Sequence, residues 1–295
     1  MPGQRYRVVH RTEYRYGATM VDGYSVACVL ARPTPSQRVL SSVVTTYPEP
    51  DEYDERQDVF GNRIVQFGLH RPHDGLTVEA VTEVKIWEQE LPRTDIGWER
   101  VRATVAGLRG PMALDVAPFA APSRFATIGT NRAQLAELGS QSFSPGRPIV
   151  EATGALCTSI FESFVFDPSF TEISTPLDLV LSERRGVCQD FAHLAVGCLR
   201  TLGLAARYVS GYIETEPPPG EPKTIGADAS HAWCSVWVPD HGWLDFDPTN
   251  GVVAPARHVT IGWGRDYADV APVRGVVVGP SSTQSLTVSV DVARV

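Results

Sequence analysis

One stretch near the start constrains this chain most: Tyr6, Val8, His10, Thr12, Tyr14 and Tyr16 alternate with Arg7, Val9, Arg11, Glu13 and Arg15. A period of two puts one set on each face of an extended strand, and no helix shares that period. The alternation returns at residues 76–86, where the even positions from Leu76 to Ile86 are apolar apart from Thr82. Between the two lie a proline-rich corner (Arg32-Pro33-Thr34-Pro35), a strand-like segment at 39–47, an acidic stretch at 49–58 expected as a loop, and Gly61-Asn62 turning into Ile64-Val65-Gln66-Phe67. Several short strands separated by turns make a sandwich or a small barrel over residues 1–88. Residues 89–144 hold many Pro, Ala and Ser residues without a lasting period, and are expected to form a connector with short helical pieces.

From residue 145 the period changes. Pro148 suits a first helical turn, and Ile149, Thr153, Leu156, Ile160 and Phe164 recur at steps of three and four. A second helix is expected to start at Thr175-Pro176-Leu177-Asp178, with Thr175 as cap, Pro176 in first position and Asp178 facing the positive dipole end. A third begins near Cys188. Its Cys188, Phe191, Ala192, Ala195, Cys198, Leu199 and Leu202 form one stripe, with Gly203 as the left-handed terminator. Strands are expected at 208–213, 231–238 and 243–247, and residues 214–229, with Pro217-Pro218-Pro219-Gly220, read as a solvent loop. A closing strand alternates again at 286–292.

Lys and Arg number 26 against 34 Asp and Glu, a formal charge of −8, and no basic cluster exceeds Arg184-Arg185. That field repels polyanions, so nucleic acid is not an expected partner. The N-terminus lacks the apolar core of a signal peptide, and nowhere do about 18 apolar residues run together, so no membrane association and a cytoplasmic location are expected. The five cysteines (Cys28, Cys157, Cys188, Cys198 and Cys234) are odd in number and form no C-x-x-C pair, which predicts thiols rather than a disulfide framework.

Cys188 is placed in the first turn of its helix, where unpaired backbone N–H groups and the positive dipole end favour a thiolate. The same position also suits a small core residue. In the strand at 231–238, His231, Trp233, Ser235 and Trp237 share one face, and in the next strand Trp243, Asp245 and Asp247 do. A three-residue loop, or a bulge at Gly242, sets Asp247 opposite Trp233 and diagonal to His231. Asp245 is the rival carboxylate on that face. A zinc site built from Cys188, His193, His231 and Cys234 is disfavoured, because Cys234 alternates to the face opposite His231.

The segments GVCQDFAHL (186–194), SHAWCSVWVP (230–239) and GWLDFDPTN (242–250) resemble, in that order, the Cys, His and Asp blocks of the transglutaminase-like superfamily, whose core is related to papain-like thiol peptidases. YRVVHRTEYRY, RPTPSQ and DVFGNRIVQF resemble the β domain that precedes this core in bacterial members, and GRDYADVAPVRGVVVG resembles their closing segment. The resemblance implies Cys188 as nucleophile, His231 as base and Asp247 as orienting carboxylate. The expected fold class is α+β: an N-terminal antiparallel β-sandwich (1–88), the connector (89–144), a transglutaminase/papain-like core of helices packed on an antiparallel sheet (145–268) and a C-terminal segment with the closing strand (269–295). The expected activity is thiol-dependent cleavage of a peptide or protein amide through an acyl-enzyme. Acyl transfer to an amine, and a catalytically silent binding or assembly protein, are the alternatives. Gln189, Trp233 and Trp263 are substrate-binding candidates, and the oxyanion is expected to meet the Cys188 N–H and a donor from residues 166–174. No cofactor and no metal is expected.

Overall fold

The computed structural model describes residues 3–88, 90–214, 230–253, 257–280 and 283–295. The N-terminal part forms β1 (Gln4–Met20), β2 (Asp22–Ala27), β3 (Gln37–Tyr47), β4 (Glu52–Gln57), β5 (Arg63–Leu69) and β6 (His73–Ile86). β1 pairs antiparallel with β6, and its period of two becomes burial: Tyr6, Val8, His10 and Thr12 are buried, while Arg5, Arg7 and Arg11 are exposed. The acidic stretch at 49–58, expected as a loop, contains β4 instead. All six residues of β4 are exposed, and they pair with β5 at the sheet's edge. Charges protect such an edge from pairing with another chain, which is why its composition imitates a loop.

Four helices lead toward the second unit: α1 (Trp98–Gly107), α2 (Pro111–Val116), α3 (Arg132–Ser140) and α4 (Ile149–Ser163). After β7 (Val165–Phe166) come α5 (Leu177–Glu183), β8 (Arg185–Gly186) and α6 (Cys188–Thr201). The remaining strands of this unit are β9 (Ala206–Ile213), β10 (Ser230–Val238), β11 (Gly242–Asp247), β12 (Val252–Val253) and β13 (His258–Gly264). These five form one sheet in the order β12-β11-β10-β9-β13. Every residue of α6 from Asp190 to Arg200 is buried, so this helix is the axis of the core and not an element with a single apolar stripe. Phe191, Leu194, Cys198 and Leu199 pack with Cys234, Val236 and Phe246 of the sheet and with Leu156 and Ile160 of α4. Gly203, at φ +80, ends the run of α6 as expected. Thr175 departs from expectation: Pro176 is the N-cap of α5, and the Thr175 hydroxyl accepts the Glu172 N–H at 2.8 Å instead of a helix N–H. Beyond Glu214, the expected solvent loop lies outside the described residues.

After a short α7 (Tyr267–Val270), the chain returns to the first unit. β14 (Val273–Val278) pairs with β2, and β15 (Gln284–Arg294) pairs with β1 along its length. The result is a sandwich of two four-stranded sheets, β15-β1-β6-β3 and β14-β2-β5-β4. Sandwich and core are joined by buried amide side chains. Gln37 donates to the Thr260 carbonyl at 2.7 Å and accepts the Thr260 N–H at 2.9 Å, and Asn62 makes the same two bonds to Trp263 at 2.8 and 2.9 Å. Each amide pairs with the backbone of β13 as a neighbouring strand would. At roughly 1 kcal/mol net per bond, the four fix the relation of the two units more than they add to total stability. Among the described residues no helix is long and apolar enough to cross a membrane.

Candidate active site

The residues leading into α6 explain how Cys188 is held. Arg184, at φ +53, ends α5, and β8 then pairs in parallel with β7, which aims the chain at the start of α6. Asp190, in the first turn, accepts the Val187 N–H at 2.9 Å and closes that start. Cys188 is therefore the first helical residue. Its side chain is partly exposed, and its sulfur lies 3.8 Å from the Ser230 carbonyl oxygen.

The hairpin arithmetic places the other two groups. Val238 pairs with Gly242, Val236 with Leu244 and Cys234 with Phe246, across a three-residue loop at 239–241. Gly242 adopts φ +75 where that loop re-enters the sheet. Asp247 consequently falls opposite Trp233 and diagonal to His231, and its Oδ2 lies 2.7 Å from His231 Nε2. Nδ1 is the His231 nitrogen left over from the Asp247 bond, and the ring also interacts with Cys188. Asp245 makes no hydrogen bond to His231 among the described residues. It accepts the Ser235 hydroxyl and, at 3.2 Å, the Trp233 indole N–H.

Asp247 is fully buried and its carboxylate is saturated with donors. Oδ1 accepts the backbone N–H groups of Thr249 at 2.9 Å and Asn250 at 3.2 Å, while Oδ2 accepts the Asn250 amide at 2.7 Å. Oδ2 is also 2.8 Å from Nε2 of His258. Burial alone would raise this carboxyl, but the bonds to the two histidines outweigh it and hold Asp247 far below the usual carboxylate range. Burial likewise opposes charge on His231. The bonds to Asp247 and Cys188 override it and carry the imidazole up to about 10. His258 goes the other way: burial lowers it and Asp247 compensates only in part. The cationic proton thus belongs to His231.

Sequence reasoning missed His258 and Asn250. Asn250 was discoverable, since a side chain three residues past Asp247 in a turn commonly returns to it. His258 had a weaker local signal, the alternation opening at His258-Val259-Thr260-Ile261. The Nε2 atoms of His231 and His258 and the Asp247 carboxylate lie within 4.8 Å of one another. Cations are held by such trios, but here one oxygen already sits at hydrogen-bond distance from both nitrogens. The group holds protons in place. The four residues of the disfavoured zinc site are not assembled: His193 Nε2 accepts the Tyr267 N–H, and Cys234 donates to the Phe246 carbonyl on the other face.

Cys188 opens on a cleft of about 300 Å³ between the two units. Tyr208 of the core forms one wall, and Tyr14, Leu286 and Val288 of the sandwich form another. Gln189 reaches this cleft, and its amide donates to the Ile173 carbonyl at 3.1 Å. The two tryptophans do not. Trp233 has no exposed surface because Asp245 takes its N–H and His258 stands edge-on to its ring. Trp263 lies under the guanidinium groups of Arg32 and Arg207, whose carbons are 3.3 and 3.6 Å from its centroid, and it borders a different pocket.

A model of the transglutaminase-like superfamily matches residues 139–248, and a model of the bacterial transglutaminase-like N-terminal region matches residues 6–85. An uncharacterized protein of Mycobacterium tuberculosis is 39% identical over 301 residues, covering 98% of this chain and 92% of its own. The chain belongs to the transglutaminase-like superfamily. A protein-glutamine gamma-glutamyltransferase of Pseudomonas aeruginosa is 32% identical over 111 residues, which are 35% of this chain and 16% of that protein. Among solved structures, a candidate cysteine protease from Cytophaga hutchinsonii superposes with a TM-score of 0.75 at 23% identity, covering 100% of this chain and 91% of that one. That likeness concerns the fold.

Thiol chemistry separates Cys188 from the other cysteines. Cys28, Cys157, Cys198 and Cys234 are all buried; burial pushes the Cys28 thiol up to about 12 and raises Cys198, and Cys234 is raised first by its bond with Cys157 and then by burial. Iodoacetamide at neutral pH, followed by peptide mapping, is expected to label Cys188 first. Earlier labelling of any other cysteine contradicts this.

Proposed function

We propose that the protein is a thiol-dependent hydrolase that cleaves a peptide or side-chain amide through a Cys188 acyl-enzyme. The observation behind this reading is that His231 stands between a partly exposed thiol and a buried carboxylate 2.7 Å from its other nitrogen. The Cys188 sulfur attacks the amide carbonyl carbon, and the carbonyl electrons move onto oxygen. The backbone N–H of Cys188, at the helix start, faces that oxyanion. The Tyr208 hydroxyl is a second donor on the cleft, and burial keeps it protonated throughout the working range. His231 passes its Nδ1 proton to the departing amine as the C–N bond breaks. It then removes a proton from water, which attacks the thioester and releases the acid and the thiol.

The cleft walls favour an apolar acyl group. Among the described residues lining the cleft there is no Asp, Glu, Lys or Arg, so a charged side chain beside the reacting carbonyl would lose water without gaining a partner. The likeness to the Pseudomonas glutamyltransferase favours a second reading, in which an amine intercepts the acyl-enzyme. All five cysteines are free, and a nucleophile that must stay reduced suits the cytoplasm.

Incubating the protein with an amide peptide library, with and without an added primary amine, distinguishes the outcomes by mass spectrometry. Free acid under both conditions is expected for a hydrolase, and conversion to the substituted amide when amine is added identifies transfer. Absence of both products, together with no acyl mass on Cys188, overturns the reading.

A further inference from the structure

The carboxylate behind His231 serves a second histidine for which the mechanism above has no use. His258 opens β13 and is 6% exposed. Its Nε2 approaches Asp247 Oδ2 at 2.8 Å, the same oxygen that His231 Nε2 approaches at 2.7 Å. The two ring centroids are 5.5 Å apart and their planes are tilted by 57°. An anionic oxygen only accepts, so both Nε2 atoms must carry hydrogen. The remaining nitrogen of His258, Nδ1, is buried and has no partner among the described residues. A bare lone pair there costs less than an unpaired N–H, and a second imidazolium would face His231 across one carboxylate. The charged and titratable groups acting on His258 are Asp247 and Asp245 of β11 and His231 of β10. Together they describe a neutral ring locked in the Nε2–H tautomer.

We infer that His258 is a positioning residue: it donates its Nε2–H to Asp247, fixes that carboxylate against His231, and sets how tightly the carboxylate holds the His231 proton. A donor that satisfies part of the Asp247 charge weakens the pull of Asp247 on the His231 imidazolium. Without it, His231 would bind its proton too strongly to hand it to a departing amine. The catalytic consequence rests on the proposed function, but the coupling between the two rings does not.

Histidine labelled with ¹⁵N and ¹³C reports both rings in the folded protein without any substrate. In the parent, His258 is expected as the Nε2–H tautomer with a bare Nδ1 at neutral pH. His258→Phe keeps the ring volume and removes the donor, and should move the His231 titration upward by roughly one pH unit. His258→Gln, whose amide can donate to Asp247, should bring it back. A parent His258 protonated on both nitrogens at neutral pH overturns the inference, and this reading survives even if the phenylalanine variant fails to fold. A folded His258→Phe protein that loses thermal stability while the His231 titration stays in place also overturns it, and leaves His258 a packing residue. If these shifts occur and no amide is ever turned over, the proposed function fails while the coupling stands.

Discussion

Cys188→Ala is expected to leave a folded protein whose turnover is lower by about 10⁴-fold or more, the usual consequence of removing a nucleophile that acts as a unit with its base. The fold should survive because the side chain is partly exposed and its one polar contact with described backbone, to the Ser230 carbonyl, is long at 3.8 Å. Removing sulfur at an open cleft leaves no enclosed cavity, and alanine is a good helix former, so stability should change by less than about 1 kcal/mol. The variant also carries a spectroscopic mark. Cys188 is one of the groups holding the His231 proton, so His231 should titrate lower in Cys188→Ala than in the parent. Cys28→Ala removes a buried thiol that packs in the apolar cluster beside Cys188 and Ala232 but is not hydrogen-bonded to Cys188, His231 or Asp247 among the described residues, and it serves as the contrast, with activity retained. Turnover in Cys188→Ala comparable to that of Cys28→Ala would assign the chemistry to another residue.

The parts of this site that sequence makes legible share a physical basis: they depend on local periods. The α6 start follows from the segment around Cys188, and the placing of Asp247 relative to His231 follows from a three-residue loop joining two alternating strands, as the register of Val238 with Gly242 bears out. What escaped depends on pairings between residues remote in sequence. β14 is short, and Val276, Val277 and Val278 lie exposed on it, so its local pattern gives no sign of a partner; it is a strand because β2, about 250 residues earlier in the chain, accepts it. His258 reaches Asp247 although β13 is bonded to β9, with β10 and β9 standing between it and β11 in the sheet. No spacing rule between positions 247 and 258 predicts that meeting. Trp233 shares a face with His231 but not its cleft, because Asp245 and His258 close over it.

Asp247→Asn should be the most damaging conservative change in the protein. An amide cannot reproduce the pattern of acceptance at this site. Placed at Oδ2, its N–H₂ confronts donors from His231, His258 and Asn250; flipped, it confronts the backbone N–H groups of Thr249 and Asn250. Either way a fully buried donor meets donors, with an expected loss of about 1–3 kcal/mol. Catalysis should fall further, by about 10²–10⁴-fold in kcat with a smaller change in KM, because His231 loses both its orientation and the charge that supports its imidazolium. The pH dependence separates the two effects. Asp247 is depressed in the fold, so the stability it contributes is present above its ordinary value of 3.8 and is lost as pH falls. His231 is raised to about 10, so its share is complete below 6.5 and fades as pH rises toward 10. The Tm gap between parent and Asp247→Asn should therefore be widest near neutrality and close from both sides, at acid pH through Asp247 and near pH 10 through His231. Asp245→Asn provides the control. Its partners are Ser235, whose hydroxyl can turn, and Trp233, and neither touches His231 at hydrogen-bond distance. A tenfold or greater loss of kcat in Asp245→Asn, with Asp247→Asn near parental activity, would transfer the orienting role two residues upstream.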